Sequence, residues 1–195
     1  MSQQLEIEFK NLLTKEEYER LLTYFHIQQE QIERQENHYF DTPDEHLKKA
    51  MSGLRIRVLS SHIECTLKER STENAYLETT DRLSDEAATE MMQGTGFHAP
   101  SVEQRLLAMN VPIKQLQLFG TLATNRVELE YEGGLLFLDH SFYLQCEDYE
   151  VEYETTNEAT GIDIFRRFLA EHHIEKRYAK KKIARFADAL AQQAK

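Results

Sequence analysis

The sequence predicts a mainly β fold, an antiparallel sheet or barrel with a few appended helices. Three observations predict it. Charged residues alternate with apolar ones in short segments along most of the chain, the period of a strand with two unlike faces. Those segments follow one another through short polar turns such as "RSTEN" (70–74) and a Gly133-Gly134 hairpin signal. Helical spacing is confined to a few stretches, too few to alternate with every strand as a parallel doubly wound fold requires.

The elements follow in order. "LEIEFK" (5–10) is the first strand, with Leu5, Ile7 and Phe9 on one face and Glu6, Glu8 and Lys10 on the other. "TKEEYERLLTYF" (14–25) predicts a helix with Thr14 as N-cap and Glu17 closing a capping box. "NHYFDT" (37–42) is a short strand that stops at Pro43. Three more follow at "GLRIRVLS" (53–60), "HIECTLKER" (62–70) and "AYLETTDRL" (75–83). Short helices are expected near 84–93 and 101–109, with Ser84 and Ser101 as caps. Strands resume at 122–132, 135–142 and 146–156. Ile162, Phe165, Phe168 and Leu169 recur at helical spacing and predict a helix from about Thr160 to His172. "RYAKKKIARF" (177–186) reads as a last strand and 187–195 as a frayed terminal helix, giving eight or nine strands in all.

Composition narrows the class. The 195 residues suffice to bury a core and fit one large domain or two small ones; with 7 Gly, 3 Pro and no low-complexity run they show no obvious flexible linker. No segment approaches the roughly 18 apolar residues of a membrane span, and the first residues lack a secretion-signal layout. Cys65 and Cys146 form neither a disulfide framework nor a zinc set. A cytoplasmic protein is expected. The net charge of −11 argues against a general nucleic-acid binder, whose affinity rests on dense Lys/Arg contacts to phosphate.

The charged rows carry the functional information. Arg55 and Arg57 alternate with Leu54, Ile56 and Val58; Glu64, Thr66 and Lys68 oppose Cys65 and Leu67. Arg126, Glu128 and Glu130 oppose Val127, Leu129 and Tyr131, and Glu150, Glu152 and Glu154 oppose Tyr149, Val151 and Tyr153. Lys180 and Lys182 share a face if 177–186 is extended. Two constructions fit. In the commoner one, the apolar rows pack on helices and the charged rows are solvated. In the other, the sheet closes and the charges line a wet interior, which requires pairing or a highly charged ligand, because burying unpaired charge is expensive. Arginine's planar fork suits phosphate oxygens, and carboxylates without His or Cys suit magnesium or manganese. A metal–polyphosphate complex needs both chemistries at once.

At this level the sequence resembles the CYTH superfamily, the triphosphate tunnel metalloenzymes. "EIEFK" is similar to its Glu-x-Glu-x-Lys signature, and the likeness continues through residues 38–57, 65–69, 125–130, 136–140, 149–154 and 180–186. The resemblance implies a single domain over 1–195, a closed eight-stranded antiparallel β-barrel that forms a charged tunnel with flanking α-helices. It implies that Glu6, Glu8, Asp139, Glu150 and Glu152 hold one or two divalent cations, Mg2+ or Mn2+. It implies a phosphate-binding set of Lys10, Arg55, Arg57, Lys68, Arg126 and a lysine near the end, Lys182 ahead of Lys180 because it precedes "IARF". Lys10, Arg57 and Glu152 are the residues expected to act on the reacting phosphate. Glu128 and Glu130 are candidates for further metal or orienting contacts, and Glu154 approaches the strand end.

Other residues have ordinary readings. Tyr39 is a packing residue before it is a stacking platform, since aromatics favour strands. His172 and His173 belong to a helix end or surface, lacking metal spacing. His38 and His140 face away from the motif rows, and Cys65 is apolar filling. With no Ser/His/Asp set and no Gly-rich loop, side chains must recognise the phosphates. Three functions are compatible: metal-dependent hydrolysis of inorganic or organic triphosphate, a class IV type adenylate cyclase, and a non-catalytic polyphosphate or nucleotide sensor. The expected partner is a small triphosphate, without nucleic acid or membrane. A closed barrel lacks free edges, so the chain is expected as a monomer or a helix-mediated homodimer.

Overall fold

The computed structural model describes residues 2–193. Eight strands are present among them: β1 (Ser2–Leu13), β2 (Glu33–Asp41), β3 (Gly53–Val58), β4 (Ile63–Arg70), β5 (Ala75–Leu83), β6 (Gln117–Tyr131), β7 (Gly134–Tyr143) and β8 (Cys146–Thr155). Six helices accompany them: α1 (Lys15–Tyr24), α2 (His46–Lys49), α3 (Asp85–Gln93), α4 (Pro100–Ala108), α5 (Glu158–Glu171) and α6 (Lys182–Gln193). The strands hydrogen-bond in the order β1-β5-β4-β3-β2-β6-β7-β8 and close a barrel. The chain packs as two compact units, one of the residues up to Leu5 with Gln35–Thr121, the other of Glu6–Arg34 with the chain from Leu122 onward.

In the first unit, antiparallel register sets Arg55 opposite Thr66 and Arg57 opposite Glu64, and their neighbours Leu54 and Ile56 opposite Leu67 and Cys65. The apolar set is fully buried and packs with Ala88 and Met91 of α3 and Val102 and Leu106 of α4. Burial of these aliphatic side chains, at roughly 1.5–3 kcal/mol each, holds the helices to that face. Ser84 caps α3 as expected, accepting from the Ala87 amide. Ser101 does not cap α4. That helix starts one residue earlier on Pro100, and the buried Asp81 carboxylate of β5 accepts from the amides of Ser101 and Val102 at 2.7 and 3.0 Å. A cap supplied from a strand leaves no trace in the local sequence.

In the second unit, Phe9, Val127, Leu136, Leu138, Val151 and Tyr153 form the apolar face, covered by Tyr18 and Leu21 of α1 and Phe165, Phe168 and Leu169 of α5. The Thr14–Glu17 capping box is present in full. α5 begins at Glu158, two residues before the expected start, capped by Asn157, whose side chain accepts from the Thr160 amide. The β6–β7 turn is Glu132-Gly133, both at positive φ, and Gly134 opens β7. A Cβ on Gly134 would meet the Glu154 carbonyl at 2.4 Å, so glycine is required there by close approach.

The expected last strand over 177–186 is absent. Residues from Lys182 form α6, and the terminal helix expected from 187 therefore starts five residues earlier; 194–195 lie outside the described residues. Ile183, Phe186, Ala187 and Leu190 recur at i, i+3, i+4 and i+7, a helical stripe that the alternating lysines obscured. Closure of the barrel by the β1–β8 pairing also removes the edge a ninth strand would need.

Candidate active site

Period-two alternation puts the charged residues of each unit on the sheet face opposite its apolar cluster. In the first unit this row contains Asn37 and Tyr39 of β2, Arg55 and Arg57 of β3, Glu64, Thr66 and Lys68 of β4, and Glu78, Thr80 and Arg82 of β5. Arg57 Nε donates to the buried Asn37 Oδ1 at 3.0 Å, and its Nη1 lies 3.8 Å from Glu64 Oε1. Lys68 pairs with Glu78 at 2.9 Å and lies over the Tyr76 ring. The hydroxyls of Thr66 and Thr80 bond across the strands at 2.9 Å. Tyr39 is buried and stacks on Phe119, in keeping with a packing role.

Burial pushes the Glu78 carboxyl up, but the fields of Lys68, Arg55 and Arg57 outweigh it and bring its pKa down to about 2. The charged form is thus favoured by folding. Its stabilising contribution is complete above the ordinary value of 4.5 and fades as pH falls toward about 2. A carbon-detected NMR titration of the Glu78 carboxyl should give a midpoint near 2 in the wild type and a higher one in Lys68→Met. A wild-type midpoint at 4.5 would contradict the pairing.

The second unit holds a denser cluster. Register sets Arg126 opposite Asp139, Asp139 opposite Glu150, and Lys10 opposite Glu152. Arg126 forks onto Asp139 at 2.7 and 2.6 Å and reaches Glu152 at 2.8 Å. Its guanidinium carbon lies 4.4 Å from the centre of the Phe137 ring. Lys10 is 2.8 Å from Glu8 and 3.3 Å from Glu152. Asp139 and Glu150 are wholly buried and Glu152 nearly so. Burial alone would raise both Asp139 and Glu152, yet Arg126 and Lys182 hold the first below its ordinary range, and Lys182 and Lys10 the second. Glu150 moves the other way: burial, with Glu152 alongside, outweighs Lys182 and lifts it to about 7.

Each sequence-predicted residue now has a place. Asp139, Glu150 and Glu152 each offer an oxygen within 4.8 Å of the others, a group able to hold a metal ion. Glu6 and Glu8 stand outside this group. Glu8 is opposite Glu154, two positions along β8 from Glu152, and the Lys10 ammonium pairs with both Glu8 and Glu152. Glu6 lies in β1 just ahead of the residues that pair with β8 and is half-buried. Arg126 and Lys10 lie within the cluster; Arg55, Arg57 and Lys68 belong to the first unit's row. Glu128 and Glu130 are exposed. Lys182 and Lys180, inseparable by alternation, are separated here: Lys182 reaches Asp139, Glu150 and Glu152, whereas Lys180 pairs at the surface with Asp188 at 2.6 Å.

Sequence reasoning missed Arg185, which forks onto Asp148 at 2.8 and 3.0 Å and also donates to Glu150. Lys182 and Arg185 are three apart, neighbours on one helix face, so recognising α6 would have revealed it. Glu78 was readable from the alternation of β5, in phase with Tyr76 and Arg82. His38, His140 and Cys65 face away from the charged rows, and His172 lies in an aromatic cluster with Tyr24, Phe25 and Phe168.

Three buried carboxylates without sulfur or imidazole offer the hard oxygen donors that divalent cations of the magnesium type prefer. An ammonium group already lies among them, so the pocket accepts positive charge. A closed antiparallel barrel with paired acidic and basic rows, covered outside by helices, is the architecture of the CYTH domain, whose profile matches residues 4–187; the chain belongs to this family. It is 40% identical over 188 residues to the protein named "Putative triphosphatase YjbK" of Bacillus subtilis, covering 95% of this chain and 96% of that one. A crystal structure from Bacillus halodurans, described as a "putative adenylate cyclase", superposes with a TM-score of 0.91 at 40% identity, over 95% of this chain and 99% of that one. A Hippeastrum protein described as having a dominant triphosphatase activity shares the fold at a TM-score of 0.75 and 22% identity, over 95% of each chain. No helix among the described residues is long and apolar enough to cross a membrane.

Proposed function

We propose that this chain is a divalent-metal-dependent hydrolase of triphosphates, acting on inorganic triphosphate or an organic or nucleoside triphosphate. The observation that carries this reading is the group of three buried carboxylates, Asp139, Glu150 and Glu152, gathered around a cation position and flanked by Lys10 and Arg126. The family and the named triphosphatase relative from Bacillus subtilis agree with it. The match over 4–187 spans both units, in keeping with one domain over 1–195.

Those three carboxylates would hold Mg2+ or Mn2+; a bound divalent cation supplies charge neutralisation and acidifies water. The remaining work belongs to this chain's side chains. Arg55, Arg57 and Lys68 of the first unit, and Lys10, Arg126 and Lys182 of the second, bind phosphate oxygens. Arg57 is held at a fixed angle by Asn37, and Arg126 by Asp139. Lys10 opposes the charge that develops as the anhydride oxygen leaves, and Glu152 keeps Lys10 and Arg126 in place. With no covalent nucleophile in the charged rows, in-line attack by water on the terminal phosphorus is the simplest reaction. A reducing cytoplasm fits the two free cysteines, one buried and one exposed.

The Bacillus halodurans relative, called a cyclase, favours one second reading, in which a ribose hydroxyl attacks the α-phosphorus of ATP. Purified protein incubated with triphosphate, thiamine triphosphate or ATP, with Mg2+ or Mn2+, decides. Release of orthophosphate is the expected result. Pyrophosphate with cyclic AMP would replace hydrolysis by cyclisation, and binding without product would make the chain a sensor.

A further inference from the structure

Lys182 stands where a metal ion would stand. Its Nζ lies 2.7 Å from Asp139 Oδ2, 2.8 Å from Glu150 Oε1 and 2.8 Å from Glu152 Oε1. These belong to the three carboxylates that could bind an ion, and the side chain is only 12% exposed. A magnesium ion requires its oxygens at about 2.0–2.1 Å, inside the shell that the ammonium now occupies. Both cations cannot occupy one nest.

The two partners are held differently. The carboxylates project from β7 and β8, whose positions are fixed by the sheet register. The lysine comes from the first residue of α6, outside the sheet. The segment before it is anchored: Asn11 accepts from the Arg177 amide and donates to the Glu175 carbonyl, and Arg177 pairs with Glu17. Arg185 ties the following turn to Asp148 and Glu150. Between those anchors the Lys182 side chain is a long, flexible arm on a fixed base.

Charge balance adds a second argument. Lys10, Arg126, Lys182 and Arg185 bring four positive charges to the five carboxylates Glu8, Asp139, Asp148, Glu150 and Glu152. With all five carboxylates ionised, a divalent cation added to this set turns its net charge from −1 to +1, which favours an anionic phosphate chain.

We propose that Lys182 is an exchangeable counter-ion: its ammonium holds the three carboxylates together until a divalent cation displaces it, and it then pairs with substrate phosphate. This rests on the metal-dependent reading above. Metal entry and phosphate binding are thereby linked, because each makes the other's charge change less costly.

The test is calorimetric titration of Mg2+ and Mn2+ without substrate into the wild type, Lys182→Met and Asp139→Asn. Lys182→Met should bind roughly tenfold or more tightly than the wild type, since no ammonium has to leave, and Asp139→Asn should bind more weakly. Equal or weaker binding by Lys182→Met overturns the counter-ion while leaving the metal site standing. Absence of binding in both wild type and Lys182→Met overturns the metal site itself, and the counter-ion with it. If Lys182→Met does not fold, reductive methylation of the wild type read by mass spectrometry decides: Lys182 should react faster at saturating Mn2+, and an unchanged rate contradicts the proposal.

Discussion

Glu152→Gln should lower kcat on the order of 100-fold, about 2.7 kcal/mol of barrier, while the protein stays folded. Glu152 accepts from Lys10, Arg126 and Lys182 and is one of the three carboxylates that could hold a metal. Glutamine keeps its volume and one acceptor oxygen but supplies no anionic ligand. Breaking a buried ion pair usually costs several kcal/mol through the charge left behind. Here four carboxylates, Glu8, Asp139, Asp148 and Glu150, remain against the four cations of the cluster, so the set becomes balanced and the fold survives. Steady-state kinetics with a thermal melt on the same sample checks both halves. Parental turnover by a folded variant would remove Glu152 from the metal site.

Arg57→Ala should reduce kcat/KM roughly 10- to 100-fold, by raising KM and lowering kcat together. A charge-assisted hydrogen bond to phosphate is worth about 1.5–3 kcal/mol, so the net loss of one such bond corresponds to that range. The effect on stability should be small. Arg57 is partly exposed at 15%, and its 3.8 Å separation from Glu64 is loose, though Asn37 loses a donor while buried. Arg57→Lys separates charge from shape: it keeps the charge but not the planar fork, and should fall between the wild type and Arg57→Ala. Parental kinetics in Arg57→Ala would place phosphate binding elsewhere.

Much of this was written into the sequence, and the exceptions have physical causes. Alternation identified the charged rows because a strand's two faces are fixed by a period of two. It could not say whether the charged face meets water or a closed interior, since closure depends on the β1–β8 pairing between ends of the chain more than 130 residues apart. The capping box of α1 was legible because its partners are three residues apart; the Asp81 cap of α4 was not, because its donors lie 20 and 21 residues away. Asp139, Glu150 and Glu152 were among the acids named from the sequence, whereas Glu78 and Asp148 were not, and register decides which converge: Asp139 meets Glu150 across β7–β8, while Glu8 meets Glu154. α6 was misread because three consecutive lysines satisfy strand and helix patterns alike. That error hid Arg185 and left alternation unable to separate Lys182 from Lys180, although of the two it is Lys182, preferred for its place before "IARF", that reaches the carboxylates.

Anomalous diffraction from crystals grown with Mn2+ addresses the central assignment most directly. A manganese peak within about 2.2 Å of oxygens from Asp139, Glu150 and Glu152 is the expected result. Manganese bound elsewhere, with those three side chains still engaged only with Lys182, Arg126, Lys10 and Arg185, would contradict it.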